Sequence, residues 1–387
     1  MNSQRLKQLR LARGFSLEEL AAQMGGIVTK QALSKYELDK DTPSPRVLDR
    51  LAAALGVKAI RLLDEPTTHV EFIAYRKHSR MGKHAQQQLE SHIQLALENR
   101  LRLQMLTQPE IGLDLPAPGN PVTSAEEAEQ VAEALRQYWE LGRDAIPCVT
   151  DVLESHHVHV VEVDTNTDFD GLSAIAQEHE RFVAAAVITR SGTPGERQRF
   201  NLCHELGHLL LKADDDKLAE KAAHRFAGAF LAPQDTLKHA IGNQRMFIQL
   251  EELLLLKRQF GMSAQALLHR MRDLQIITES YYKQWCIDIN QHGWRTNEPD
   301  ALPHEQSIWL RQHVLRAFTE GVISRDEATE LLGKEIDGRP SLKLIERRAF
   351  LKLPIEERRR ILNEQAAQAA SSYEADHEWQ GGDVVDY

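Results

Sequence analysis

His204, Glu205, Leu206, Gly207 and His208 are the residues of this 387-residue chain whose types and spacing speak most directly of chemistry. Histidines four apart on a helix point the same way, because about 3.6 residues make a turn. Both imidazoles can then reach one metal ion. Glu205 lies beside them, placed to take a proton from water held by that ion. This is the HExxH arrangement of zinc hydrolases. A catalytic zinc takes three protein ligands and keeps a further position open. The third is read from a second helical pattern over residues 220–233, where Glu220 and His224 again share one face. Glu220 is assigned as the ligand. His224, one turn on, is assigned next to the ligands or as a transition-state stabiliser. His156, His157 and His159 also resemble a metal cluster, but they fall at an expected helix-to-strand turn without a well-spaced acidic partner. They are expected to face solvent.

These side chains need elements to hold them. Leu202, Leu206, Leu209 and Leu210 form an apolar stripe at helical spacing, so the histidine helix can bury one face and turn the other to a cleft. Upstream, Ser124 to Leu141 and Val149 to Ser155 read as helices. Val158–Val163 and Phe182–Thr189 read as strands, with Leu172–Ile175 between them. Downstream, Met246–Leu256 and Ser263–Leu274 are amphipathic helices that close the domain. The pattern predicts a mainly α fold with a small β-sheet, of α+β class.

The motif region Arg197 to Leu211, followed by Glu220 to Pro233, resembles the ImmA/IrrE family of bacterial metallopeptidases. That resemblance implies a zincin-like domain, zinc held by both HExxH histidines and a downstream glutamate, and a regulatory setting. Some members of the family cleave a DNA-binding repressor, and others carry a DNA-binding domain of their own. His224 stands where the family commonly has asparagine, and Cys203 where it has alanine. Neither change removes a ligand. Cys203 is expected to be a small buried residue.

Residues 1–66 read as five short helices: Gln4–Arg13, Leu17–Met24, Thr29–Leu38, Ser44–Leu55 and Lys58–Leu63. Ser16 and Glu19 form a capping box, and Gly25-Gly26 breaks the second helix. Two helices joined by a glycine turn, with polar residues opening the second, have helix-turn-helix geometry. Thr29, Lys30, Gln31, Ser34 and Lys35 are the candidate DNA contacts. Gln31 carries the amide suited to adenine, and the lysines suit phosphate or guanine. The segment holds eleven Lys/Arg against eight Asp/Glu, within a protein of formal net charge −10. That local basic balance favours DNA. Val28 to Glu37 resembles the Xre, lambda-repressor-like family, with a turn about two residues longer than is common. The resemblance implies a double-stranded operator, and such proteins bind paired half-sites as homodimers.

Residues 67–122 are expected to link the two domains. His69–Tyr75 is strand-like. Lys83–Leu106 is a long helix with Leu89, Ile93, Leu97, Leu101 and Met105 spaced by four, a stripe suited to the peptidase domain or to a second chain. Gln108–Pro121 carries four prolines and two glycines. The peptidase domain is assigned to 123–280 and a helical region to 281–345, with helices at Ile308–Gly321 and Asp326–Leu332. Residues 346–387 form an amphipathic helix and an acidic aromatic tail with Tyr373, Trp379 and Tyr387. Such tails look like the toxin-neutralising ends of antitoxins. The alternative function is therefore an antitoxin and autorepressor whose metal domain senses rather than cuts.

Composition excludes other classes. No apolar run approaches the roughly 20 residues of a membrane span, and Met1 to Leu6 lacks a signal-peptide core. Three cysteines, Cys148, Cys203 and Cys286, do not suggest a disulfide framework. A reducing cytoplasm is expected.

Overall fold

The computed structural model describes residues 1–65, 69–73, 82–110, 112–116, 118–164, 169, 171–178, 181–336, 350 and 353–363. The chain divides into two compact units, Met1–His313 and Val314–Tyr387.

The first unit opens with four helices, α1 (Ser3–Ala12), α2 (Leu17–Gln23), α3 (Lys30–Glu37) and α4 (Pro45–Leu55), and a 3-10 turn at Ala59–Leu62. Each start is set by a polar cap. The Asn2, Ser16, Thr29 and Ser44 side chains accept from backbone N–H groups of the first turn, and Ser16 with Glu19 completes the expected capping box. Gly25 and Gly26 both take left-handed φ, +69° and +71°, which lets the chain reverse between α2 and α3. Leu6, Leu9, Leu20, Leu33, Leu51 and Leu55 close a small core.

β1 (His69–Ile73) and α5 (Lys83–Thr107) follow; residues 74 and 75 of the expected strand lie outside the described residues. Neither element is a free linker. α5 uses two faces. Leu89, Ile93, Leu97 and Leu101 pack beneath the sheet, so that stripe is consumed within the chain, while Met105, at 62% exposure, falls off its end. The adjoining face holds the helical domain. Arg5 donates to Gln8 and ion-pairs with Glu98 in a buried contact, Arg61 donates to Asn99 at 2.6 Å, and Leu95 touches the N-terminal core. Removal of one partner from such a pair leaves a desolvated charge, which ties the helical domain firmly to α5.

The proline-rich segment ends in β2 (Asn120–Pro121). Then come α6 (Glu127–Tyr138), α7 (Val149–Ser155), β3 (Val158–Val163), β4 (Gly171–Glu178) and β5 (Arg181–Arg190). The sheet order is β1-β4-β5-β3, with β3 parallel to β5 and the other pairs antiparallel. The expected third strand therefore exists, but it lies on the far side of β5 from β3. α8 (Gly195–Leu210) packs on the opposite face of the sheet from α5. β6 (Leu211–Lys212) pairs with β2, and α9 (Asp216–Leu231), α10 (Gln234–Ile241), α11 (Leu250–Phe260), α12 (Ala264–Asp273) and α13 (Glu279–Gln291) complete the layer. The α+β expectation holds.

Two findings depart from the expectations. His159 is fully buried: it stands on β3 at 4.8 Å from the Trp309 ring, beneath a segment that the sequence left outside the domain. His156 and His157 are half-buried, and His156 pairs with Asp114 at 2.6 Å. His156 also stacks on Trp139, and His159 is covered because 302–309 crosses the sheet domain as a strap. Glu305 accepts from the Val149 and Thr150 N–H groups at the head of α7 and pairs with Arg199, and Ser307 donates to Glu154. The strap and Trp309 belong to the unit Met1–His313.

α14 (Trp309–Thr319) leads into the second unit, where α15 (Arg325–Leu332) starts at Ser324, whose hydroxyl accepts from the Glu327 N–H. Residues 355–363 are helical; most of the 346–387 tail lies outside the described residues. Among the described residues no helix is long and apolar enough to cross a membrane.

Candidate metal centre and nucleic-acid interface

α8 is buried along nearly its whole length, so its side chains have little freedom to stray. Its first residue, Gly195, lies under the strap: a Cβ there would meet the Pro303 carbonyl oxygen at 2.1 Å. One turn before its end, Gly207 lets α9 approach. A Cβ at Gly207 would lie 3.2 Å from the Ala223 Cα and the Phe226 ring. This close crossing carries Glu220 over the two histidines.

The resulting triangle is compact. His204 Nε2 and His208 Nε2 are 3.1 Å apart, and each is 3.5 Å from a Glu220 carboxylate oxygen. Tetrahedral ligands at about 2.0–2.1 Å from a zinc ion sit roughly 3.3–3.4 Å from one another. The two imidazoles and the carboxylate thus already span the edges of such a site, and their donor chemistry is that of a catalytic zinc. Among the described residues this is the group of His, Cys, Asp and Glu side chains that converges at ligand distance. Hydrogen bonds to His204 and His208 hold the Glu220 carboxyl well below the usual carboxylate range, so it is present as the anion a metal needs.

Glu205 is 6% exposed and turns toward the sheet. Ser173 Oγ on β4 donates to it at 3.2 Å, and Gly171 gives it room, since a Cβ there would lie 2.9 Å from the Glu205 Cγ. Cys203 is fully buried in the core, and burial pushes its thiol far up, which keeps it protonated and unreactive, as expected.

His224 does come to the site. Its ring lies 4.8 Å from Phe200 and 4.4 Å from His269. Burial, with the His269 neighbour, pushes its pKa down to about 4, so it is neutral near pH 7. The folded value lies below the ordinary one near 6.5. As pH falls from about 6.5 to 4 the unfolded chain takes up the proton first, and stability drops by on the order of 3 kcal/mol before levelling below 4. Urea unfolding in EDTA should therefore weaken more between pH 7 and 4 for wild type than for His224→Asn; parallel losses would remove this assignment.

His269 and Tyr282 escaped the sequence reading. His269 lies between Asp273 (3.2 Å) and Arg272 (2.8 Å), with the Tyr282 ring at 5.7 Å. The signal available was the i, i+4 spacing of His269 and Asp273 on one helix. A cleft of about 490 Å³ opens at the metal triangle, lined by His204, Glu220, His224, Arg225, His269 and Arg272. A second cavity of about 440 Å³, with Phe200, Asn201, Tyr282 and Trp294 in its walls, shares His224 and His269 with it.

In the N-terminal domain Gln31 and Lys35 are exposed on α3 and Ser34 is half-buried. Thr29 is exposed, but its hydroxyl is engaged as the helix cap, accepting from Ala32 at 3.2 Å. Lys30 pairs with Glu18, both well exposed, so that contact is weak and free to exchange. Thr29 caps α3 and Lys30 and Gln31 lie in its first turn, the part that enters a major groove in this class, while Ser34 and Lys35 lie toward its last turn.

A zincin-type ligand triangle and a helix-turn-helix thus occur in one chain. Residues 6–62 match the model of the helix-turn-helix family, and residues 184–272 match that of the IrrE N-terminal-like domain. The chain therefore carries an Xre-like helix-turn-helix domain and an IrrE-like peptidase-family domain. It is 36% identical over 72 residues to the SPbeta prophage-derived uncharacterized HTH-type transcriptional regulator YonR of Bacillus subtilis. It is 44% identical over 66 residues to the HTH-type transcriptional regulator SinR of the same organism. These matches cover 19% and 17% of this chain, and 63% and 58% of the relatives, less than two thirds of either.

Proposed function

We propose that this protein is a DNA-binding transcriptional regulator whose second domain is a zinc-dependent endopeptidase, acting on a repressor, a partner protein or this chain itself. The observation that carries the reading is the His204–His208–Glu220 triangle with Glu205 buried beside it. Zinc bound there would supply a Lewis acid for the scissile carbonyl and lower the pKa of water. Glu205 accepts the proton at its carboxylate and returns it to the leaving amine. Ser173 fixes the carboxylate orientation, and the strands behind it exclude water. His224, neutral and next to the triangle, is placed to donate a hydrogen bond to the developing oxyanion. The purified chain should hold one zinc per protomer, and Glu220→Ala should lose it to a chelator that wild type resists; equal retention would remove Glu220 from the ligand set.

The helix-turn-helix supports binding to a double-stranded operator, in the homodimeric form its class uses on paired half-sites. Gln31→Ala should cost about 1–3 kcal/mol on the cognate site and relax base preference at one position. Lys35→Ala should weaken all sequences alike and reduce the salt slope by about one. Gel-shift titrations at several salt concentrations check both, and unchanged binding by both variants would sink the interface.

A further inference from the structure

We infer that the outer edge of β4 is a docking edge for an extended peptide and that β1 is its built-in occupant, an intrasteric strand that must leave before a substrate strand can enter; the catalytic side of this rests on the peptidase reading above. β4 is the strand that touches Glu205, through Gly171 and Ser173, which are two apart and so share a face. One edge of β4 is filled by β5. The other is paired with all five residues of β1 along Ser173–Gln177, in the register His69↔Gln177 to Ile73↔Ser173. Ile73 stands directly opposite the serine that holds Glu205, and it packs on the same core as α8.

The spacing makes the occupancy decisive. Strands lie about 4.8 Å apart. A peptide that added to β4 by main-chain hydrogen bonds would lie where Ile73 lies. A peptide restricted to the outer edge of β1 would be about 10 Å from β4, one whole strand farther from the strand that Glu205 touches. The two faces of β1 also differ in what retains them. Val70 and Phe72 are held by the core under α5, the helix that clamps the DNA-binding domain through Arg5–Glu98. The strand is therefore retained by the regulatory half of the molecule and presented to the catalytic half.

Two changes separate the strand from the chemistry. Phe72 and Ala174 are a register pair on the α5 side, away from Glu205. Directly opposite residues have Cα atoms about 4.5–5.5 Å apart, within the range a disulfide spans. Phe72→Cys/Ala174→Cys, oxidised, locks β1 in place, and reduction unlocks it. Val70→Asp/Phe72→Asp releases the strand instead. The probe is a fluorescein-labelled synthetic peptide with the sequence of residues 66–75, its binding followed by anisotropy in EDTA. Oxidised wild type serves as a control for the native cysteines.

The expected order of affinity is the released variant, then wild type, with no binding to the locked chain. Zinc-loaded chains should digest unfolded casein in the same order, the locked form at least about 10-fold slower than its own reduced form. Equal peptide binding by locked and reduced chains, or none to the released variant with its far-ultraviolet spectrum intact, would overturn the inference. Peptide binding in the expected order without casein cleavage by any chain would uphold the docking edge and remove the peptidase reading instead.

Discussion

Glu205→Gln is expected to keep its zinc and lose cleavage. The side chain is buried and touches Gly171 and Ser173 on β4, and glutamine preserves its shape and its capacity to accept from Ser173. What it cannot do is take a proton. A positioned general base contributes about 10²–10⁴ in rate, so turnover should fall by that factor while zinc per protomer stays at the wild-type level. Metal analysis and mass spectrometry of the chain and its candidate partners, on one preparation of each protein, read both quantities. Cut fragments from wild type alone would give the cleavage site directly. Undiminished cleavage by the variant would require another base and would sink the role assigned to Glu205.

The second large effect lies away from the chemistry. Lys257 on α11 is fully buried, with its Nζ 2.7 Å from Glu196 and 3.0 Å from Glu298. The two acids anchor separate elements. Glu196 accepts from the Leu302 N–H at the start of the strap, and Glu298 from the Ala264 N–H at the head of α12. Burial raises the Glu298 carboxyl and Lys257 opposes that rise. Lys257→Met keeps the volume and removes the one charge that both acids share, so two desolvated carboxylates face each other. Breaking a buried pair in this way costs about 3–5 kcal/mol. In a unit of this size the thermal midpoint should drop by roughly 6–10 °C. Adding Glu196→Gln and Glu298→Gln should recover most of the loss, because replacing all partners of a buried cluster is far milder than removing one. Calorimetry of the three proteins decides it, and a single variant that melts with wild type would show that the charge is not what holds the strap.

The sequence by itself determined the local and periodic features. Caps at Ser16, Thr29 and Ser44 and the glycine pair at Gly25-Gly26 act within a few residues, so the helix-turn-helix was legible from them. The i, i+4 spacings of His204 with His208 and of Glu220 with His224 put each pair on one helical face before any packing is known, and the candidate ligand set was read from them. Tertiary structure decided whatever depends on contacts between distant residues. The stripe on α5 is equally apolar whether it meets a sheet or another chain; only the position of the sheet made it intramolecular. His159 looked like a turn residue because its cover, Trp309, lies 150 positions later in the chain. His269 joined the cleft through the crossing of α9 and α12, which no period in either segment encodes. The pairing of β1 with β4 is of the same kind. A five-residue strand with three apolar residues fits many partners, and its place beside the strand that touches Glu205 was selected by register, by the α5 core beneath Val70 and Phe72, and by the helical domain that α5 holds.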